Sequence, residues 1–355
     1  MTRKLSLLII GITFCLGLYS QTITGNLSLL KNQSINLEGF NGLESYSISS
    51  FKIDEKGNFE LIYSKADYGV GYLLSSDKKP LFVILSGENI ALAGAALSYV
   101  ETISVTKGKE NQWFEQYAKE YPKRDQALSA WSYLEKMYTA DSLFALQQTP
   151  QQAIAQEKQR IKAEDSIFLA ELPKDSYVSW FLPMRKLVSS ASTIAQYRPE
   201  EIPATIEAFR KLDYTDSRLY KSGLFKDAIE SHFWLLENSG RSLDSVFIEM
   251  KISINAMMEN LVKDEKTLNE VTDHLFDLLE RHSLFKASEY LALKVLNEVS
   301  CTIDNDLAKQ LETYRAMKKG NTAPEILFEG DNSTPGYVAN SIPKKLSDLK
   351  SSYTV

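Results

Sequence analysis

The chain has 355 residues, with 40 Lys and Arg against 46 Asp and Glu and a formal net charge of −6. Its lysines alternate with acids, as in Lys119-Glu120 and Lys263-Asp264-Glu265. The clustered basic face that a phosphate backbone needs is missing, which excludes nucleic acid as a partner. The length exceeds what one hydrophobic core usually serves, so at least two domains are expected.

Arg3 and Lys4 precede an apolar run from Leu5 to Leu18, and Tyr19-Ser20-Gln21 offers a small residue for cleavage. This is the pattern of a secretory signal peptide over residues 1–20, and it places the chain in the periplasm or cell envelope. The run is shorter than the roughly 20 residues of a spanning helix, and no later stretch approaches that length, so no transmembrane segment is expected. Cys15 follows Ile12-Thr13-Phe14 inside the apolar run, which favours cleavage near Ser20 over lipid anchoring. Cleavage removes the charges of Arg3 and Lys4, taking −6 to −8. It also removes Cys15, leaving Cys301 without an intramolecular disulfide partner in an oxidising compartment. Cys301 follows an apolar helical pattern and reads as a half-buried structural thiol.

From residue 21 to 106 apolar residues recur with period two, as in Ile23, Leu27 and Leu29, then Ile35 and Leu37, then Phe59, Leu61 and Tyr63. Seven or eight short strands are expected, forming an antiparallel sandwich or barrel. Asp54-Glu55-Lys56-Gly57-Asn58 supplies the residues of a hairpin turn. A second pair, Leu81–Leu85 and Asn89–Ala93, is joined through Ser86-Gly87-Glu88.

Residues 107–319 change to a period near 3.6, beginning with Trp113, Phe114, Tyr117 and Tyr121 and continuing with Leu128, Trp131, Leu134 and Met137. A helical domain of about eight helices is expected, divided at Pro150, Pro173, Pro183, Pro199, Pro203 and Gly240. Thr149–Glu171 is polar and suits a long exposed helix. Leu243–Val262 carries the clearest stripe, with Val246, Phe247, Met250, Ile254, Met257, Met258 and Leu261. The fold class is therefore α+β.

Residues 320–355 lose the helical stripe. Gly320-Asn321-Thr322-Ala323-Pro324-Glu325-Ile326, followed by Leu346-Ser347-Asp348-Leu349-Lys350, resembles the entry to a TlpA/ResA-like thioredoxin fold of exported Bacteroidetes proteins. The β region resembles the domain of unknown function that precedes such folds, and the helical region their insert. The resemblance implies that residues 320–355 start an incomplete thioredoxin-like domain and that the polypeptide continues past Val355 toward a W-C-x-x-C motif. No catalytic residue carries over, because thiol-disulfide exchange needs a reactive thiolate and a second, resolving cysteine. The function implied is that of an accessory, non-catalytic region of an envelope thiol-disulfide oxidoreductase or peroxiredoxin-like protein. Its partners would be an envelope protein or, through the missing domain, substrate protein thiols. The alternative is a stand-alone periplasmic binding or scaffold module without enzymatic activity.

Other chemistry has little support. The sequence nominates no catalytic, cofactor-binding or metal-ligating residue and no cofactor. His274 and His282 share a helical face near Asp273, Asp277 and Glu280, but their spacing is not that of a zinc pair. His232 is isolated. There is no G-x-S-x-G elbow, no phosphate-binding loop and no G-x-G-x-x-G. Tyr177, Trp180, Phe181, Phe233 and Trp234 supply either helical core or a groove for a peptide or glycan. Asp141-Ser142-Leu143, Asp165-Ser166-Ile167 and Asp244-Ser245-Val246 resemble Bacteroidetes O-glycosylation acceptors and also suit helix N-caps.

Overall fold

A computed structural model of the chain describes residues 20–298 except Asp77, residues 305–316, and Lys345. The signal-peptide run, Cys301 and both segments carrying the thioredoxin resemblance lie outside the described residues. The chain divides into two units, one of residues 20–205 with Asp216–His232, the other of Ile206–Thr215 with residues from Phe233 onward.

The first unit opens with eight strands: β1 (Gln21–Leu27), β2 (Ser34–Asn41), β3 (Glu44–Lys52), β4 (Asn58–Tyr63), β5 (Gly69–Leu74), β6 (Leu81–Leu85), β7 (Ile90–Gly94) and β8 (Ser104–Lys107). They form two four-stranded sheets, β4-β1-β7-β8 and β3-β2-β5-β6. Alternate residues of both sheets, including Ile23, Leu61 and Leu92 from one and Leu37, Leu73 and Leu85 from the other, meet in one buried cluster. This is a sandwich and not a closed barrel. It also departs from the antiparallel expectation in one pair, because β1 runs parallel to β7, with Ile23 opposite Ile90.

Both expected hairpins are instead corners between the sheets. Gly57 takes φ +90°, and the Asp54 carboxylate accepts from the Lys56 and Asn58 backbone amides at 2.8 and 2.7 Å, as the turn residues require. The turn nevertheless leads from β3 in one sheet to β4 in the other. The Ser86–Glu88 turn likewise joins β6 to β7 across the sheets. Turn chemistry fixes a local change of direction, whereas strand pairing depends on which faces bury their apolar residues.

The sandwich continues into α1 (Lys109–Ala140), α2 (Gln148–Glu171) and α3 (Tyr177–Tyr197). Two edge strands are closed by side chains of α1. Asn111, 2% exposed, accepts from the Ile84 amide and donates to the Ile84 carbonyl of β6, both at 2.8 Å. Glu115 accepts from the Val105 amide of β8 at 3.0 Å, and Gln112 donates to the Val105 carbonyl at 3.3 Å. Unpaired edge groups are thereby satisfied, and the start of α1 is fixed against the sheets. The outer face of β5 and β6, Val70 and Ile84, packs in a second cluster with Phe114, Tyr117, Val178, Phe181 and Leu182.

Several prolines expected to divide helices lie within them. Pro150 and Pro203 stand in the first turns of α2 and of α4 (Ile202–Arg210), where no intrahelical donor is needed. Pro183 is interior to α3, and Pro122, which is not among the expected breaks, is interior to α1. The Asp-Ser triplets do not cap helices. Asp141 follows the end of α1, Asp165 is buried within α2, and Asp244 lies in a first turn whose N-cap is Ser242. After α4 come α5 (Ser217–Tyr220) and α6 (Phe225–Glu237), and the boundary between the units falls within α4 and again within α6.

The second unit holds α7 (Leu243–Leu261), α8 (Glu265–Arg281), α9 (Phe285–Glu298) and α10 (Asn305–Ala316). The stripe expected on α7 is buried at Val246, Met250, Ile254, Met257, Met258 and Leu261, and α8 contributes Leu268, Val271, Leu275 and Leu279. Asp264 caps α8, its carboxylate accepting from the Thr267 amide at 3.1 Å. Ten α-helices are thus present among the described residues, more than the prolines and glycines alone suggest.

Candidate functional site

In the first unit, α1 and α3 face each other across a cavity of about 610 Å³. Each wall follows from helical periodicity, since residues four apart share a face. Along α1 the row is Tyr117, Tyr121, Asp125, Ser129 and Tyr133, and along α3 it is Arg185, Ser189, Thr193 and Tyr197. Ala118 and Pro122 add a second row on α1. Because Pro122 has no N–H, the Ala118 carbonyl loses its helical donor at the cavity wall. Lys136 of α1 donates to the Tyr197 carbonyl at 3.1 Å, tying the two helices together near Tyr133.

An ionic network lies behind these walls. Asp165 of α2, 4% exposed, accepts from Lys186 of α3 and lies 3.8 Å from Nη2 of Arg124 on α1. Arg124 also pairs with Glu120 at 2.8 Å. Arg198, likewise 4% exposed, donates to Asp125 at 2.8 Å and lies 3.8 Å from Glu201, which in turn pairs with Lys162 at 2.7 Å. Four cations, Arg124, Lys162, Lys186 and Arg198, therefore face four carboxylates, Glu120, Asp125, Asp165 and Glu201. Burial is the main force that pushes the Tyr117 and Tyr121 phenols far above their ordinary value, and neighbouring carboxylates add to it. Both stay neutral and remain hydrogen-bond donors across the ordinary pH range.

Arg185 stands outside this balance. Its guanidinium lies 5.0 Å from the Phe114 ring centroid, and among the described residues it has no hydrogen-bond or ion-pair partner. Burial presses its pKa down from the usual arginine value. With Ser189 it is also part of the wall of a neighbouring cavity of about 340 Å³, which is lined by Asp227, Phe82, Phe181 and Leu224 as well.

The residues singled out in the sequence do not assemble into a site. Tyr177, Trp180 and Phe181 pack in the cluster under β5 and β6, with Tyr177 stacked on Phe181 at 5.8 Å between centroids. Phe233 is buried and Trp234 half-buried in the second unit. His232 is buried in α6 and His274 belongs to α8, while His282 follows the end of α8 with Nδ1 2.8 Å from Glu237. Among the described residues no group of three or more His, Cys, Asp or Glu is placed to hold a metal ion, and no helix is long and apolar enough to cross a membrane. The helical stripe places Tyr117 and Tyr121 on an apolar face, and nothing in the sequence pattern sets Asp125 and Ser129 beside them at a cavity. The signal available was two rows at four-residue spacing, five residues on α1 and four on α3, mixing aromatic and hydroxyl side chains.

Comparison of the chain with protein-family models, curated protein sequences and solved structures finds no match.

Proposed function

We propose that this chain is a non-catalytic binding region of an exported protein, and that the α1–α3 cavity is its binding surface. The observation that carries this role is the cavity itself. Its volume of about 610 Å³ is that of an ordinary small-ligand pocket, with aromatic walls and a few convergent polar groups. The ion pairs anchored on buried Asp165 and Arg198 hold the helices in place without filling the space between them. The accessory role in thiol-disulfide exchange is proposed on the sequence resemblance at Gly320–Ile326 and Leu346–Lys350, with the reactive cysteines supplied by a further domain.

Two measurements test these roles. A fragment screen by NMR on the chain from Gln21 onward is expected to give hits whose amide shifts cluster at Tyr117–Tyr133 and Arg185–Tyr197. Hits scattered over the surface, or none, would remove the cavity as a binding surface. An insulin-reduction assay with dithiothreitol is expected to show no turnover above the uncatalysed rate, and turnover by this chain would overturn the non-catalytic assignment.

A further inference from the structure

Resting on the binding role proposed above, we infer that the α1–α3 cavity recognises an organic carboxylate with an apolar body, an arylalkanoate or a medium-chain alkanoate, through the Arg185 guanidinium. Every other cation around the cavity is already matched: Lys186 by Asp165, Arg198 by Asp125, and Arg124 by Glu120 and Asp165. Arg185 alone has no carboxylate within ion-pairing distance among the described residues, and its planar fork suits bidentate contact with a carboxylate. Arg185 is half-buried, and a charge partly withdrawn from water without an ionic partner gains from a ligand anion.

The apolar body follows from the rest of the lining. Arg185 and Tyr197 are twelve residues apart on α3, about 18 Å along a helix. The intervening wall presents Tyr121, Tyr133 and Tyr197 together with the hydroxyls of Ser129, Ser189 and Thr193. A small inorganic anion would meet the guanidinium and leave this length unfilled. The cavity's other charged side chains, Asp125 and Lys186, are already paired, so a ligand with one negative charge leaves the site neutral. Asp227 lines the neighbouring cavity on the far side of Arg185 and makes no ion pair with it.

The test is isothermal titration of the chain from Gln21 onward with phenylbutyrate and octanoate, with their primary amides, and with inorganic phosphate. The acids are expected to bind and to lose about tenfold or more in affinity when the carboxylate becomes an amide or when Arg185 becomes Gln, as expected for a charge-assisted contact. Arg185→Lys is expected to recover part of the loss, and phosphate to compete weakly. Tyr133→Ala, at a side chain that is 58% exposed, is expected to weaken the acids while leaving Arg185 and the thermal unfolding midpoint untouched, so a folding defect at Arg185 would not hide the result. Equal binding of acid and amide, or unchanged binding by a folded Arg185→Gln protein, overturns carboxylate recognition and leaves the binding role standing. Phosphate binding as tightly as the acids overturns the apolar body. If none of the acids binds, carboxylate recognition falls, and if the fragment screen is also empty on α1 and α3, the binding role falls with it.

Discussion

Replacing Asp165 by Ala removes the carboxylate that joins α1, α2 and α3. Asp165 is 4% exposed, hydrogen-bonds Lys186, and lies 3.8 Å from Arg124. A hydrogen bond to a charged group is worth about 1.5–3 kcal/mol, and removing one partner of a fully buried ion pair costs about 3–5 kcal/mol. Lys186 is 42% exposed and recovers water once released, and Arg124 keeps Glu120, so the expected cost falls to about 2–3 kcal/mol. In a unit of this size each kcal/mol lowers the unfolding midpoint by about 2–4 °C, which gives a fall of roughly 4–12 °C. Differential scanning calorimetry at neutral pH measures it, with Asp165→Asn expected to lose less because the amide keeps the size and part of the hydrogen bonding. A fall below about 1 °C, or one that disappears in 1 M salt, would show that the pair is solvated and screened, refuting the buried network.

Three further outcomes are expected. Burial is the leading cause that raises the phenols of Tyr63, Tyr117, Tyr121 and Tyr177 above their ordinary value; since the unfolded chain loses these protons first, stability should fall as pH climbs past about 10. A spectrophotometric titration should show a phenol fraction released only on unfolding, and complete reversible titration near the ordinary value would contradict it. In the second unit, Arg210 and then Arg241 hold the Glu249 carboxyl below the usual range, so its contribution is present above that range and is lost on acidification; Glu249→Gln should flatten the acid limb of a stability-against-pH curve, and an unchanged limb would show that the pairing is idle. Asn111→Ala leaves the Ile84 amide and carbonyl of β6 without their partner, at about 1–3 kcal/mol for each buried group; hydrogen exchange at Ile84 should accelerate by orders of magnitude, and unchanged protection would assign that edge another cover.

The sequence carried the elements better than their connections. Period-two runs such as Phe59-Leu61-Tyr63 and the stripe from Val246 to Leu261 were readable because burial on one face imposes that spacing directly. The turn at Gly57 was readable for the same local reason. Its destination was not, because pairing of β4 with β1, and of β1 with β7, depends on segments from Gln21 to Gly94 meeting in space. Asn111 offered no signal at all, since a polar residue in a first helical turn ordinarily faces water. The ion pairs behind the cavity join residues as distant as Asp125 and Arg198, and nothing in either local pattern selects its partner.

The same distance explains why an open cavity persists between α1 and α3. Two helices with apolar facing rows would close on each other to native packing density, since an apolar void forfeits contact energy. Here the facing rows carry Asp125, Ser129, Ser189 and Thr193, whose polar atoms gain nothing from such closure. The helices are instead held from behind, where Arg198 draws Asp125 and Lys186 meets Asp165. Asp165 and Arg198 are the buried members of this network, and a buried charge is stable only while its partner is present, so the network sets the positions of α1, α2 and α3 together. Arg185, left out of that arrangement on the open side, is the one charge around the cavity that a ligand can neutralise without breaking a contact that holds the walls.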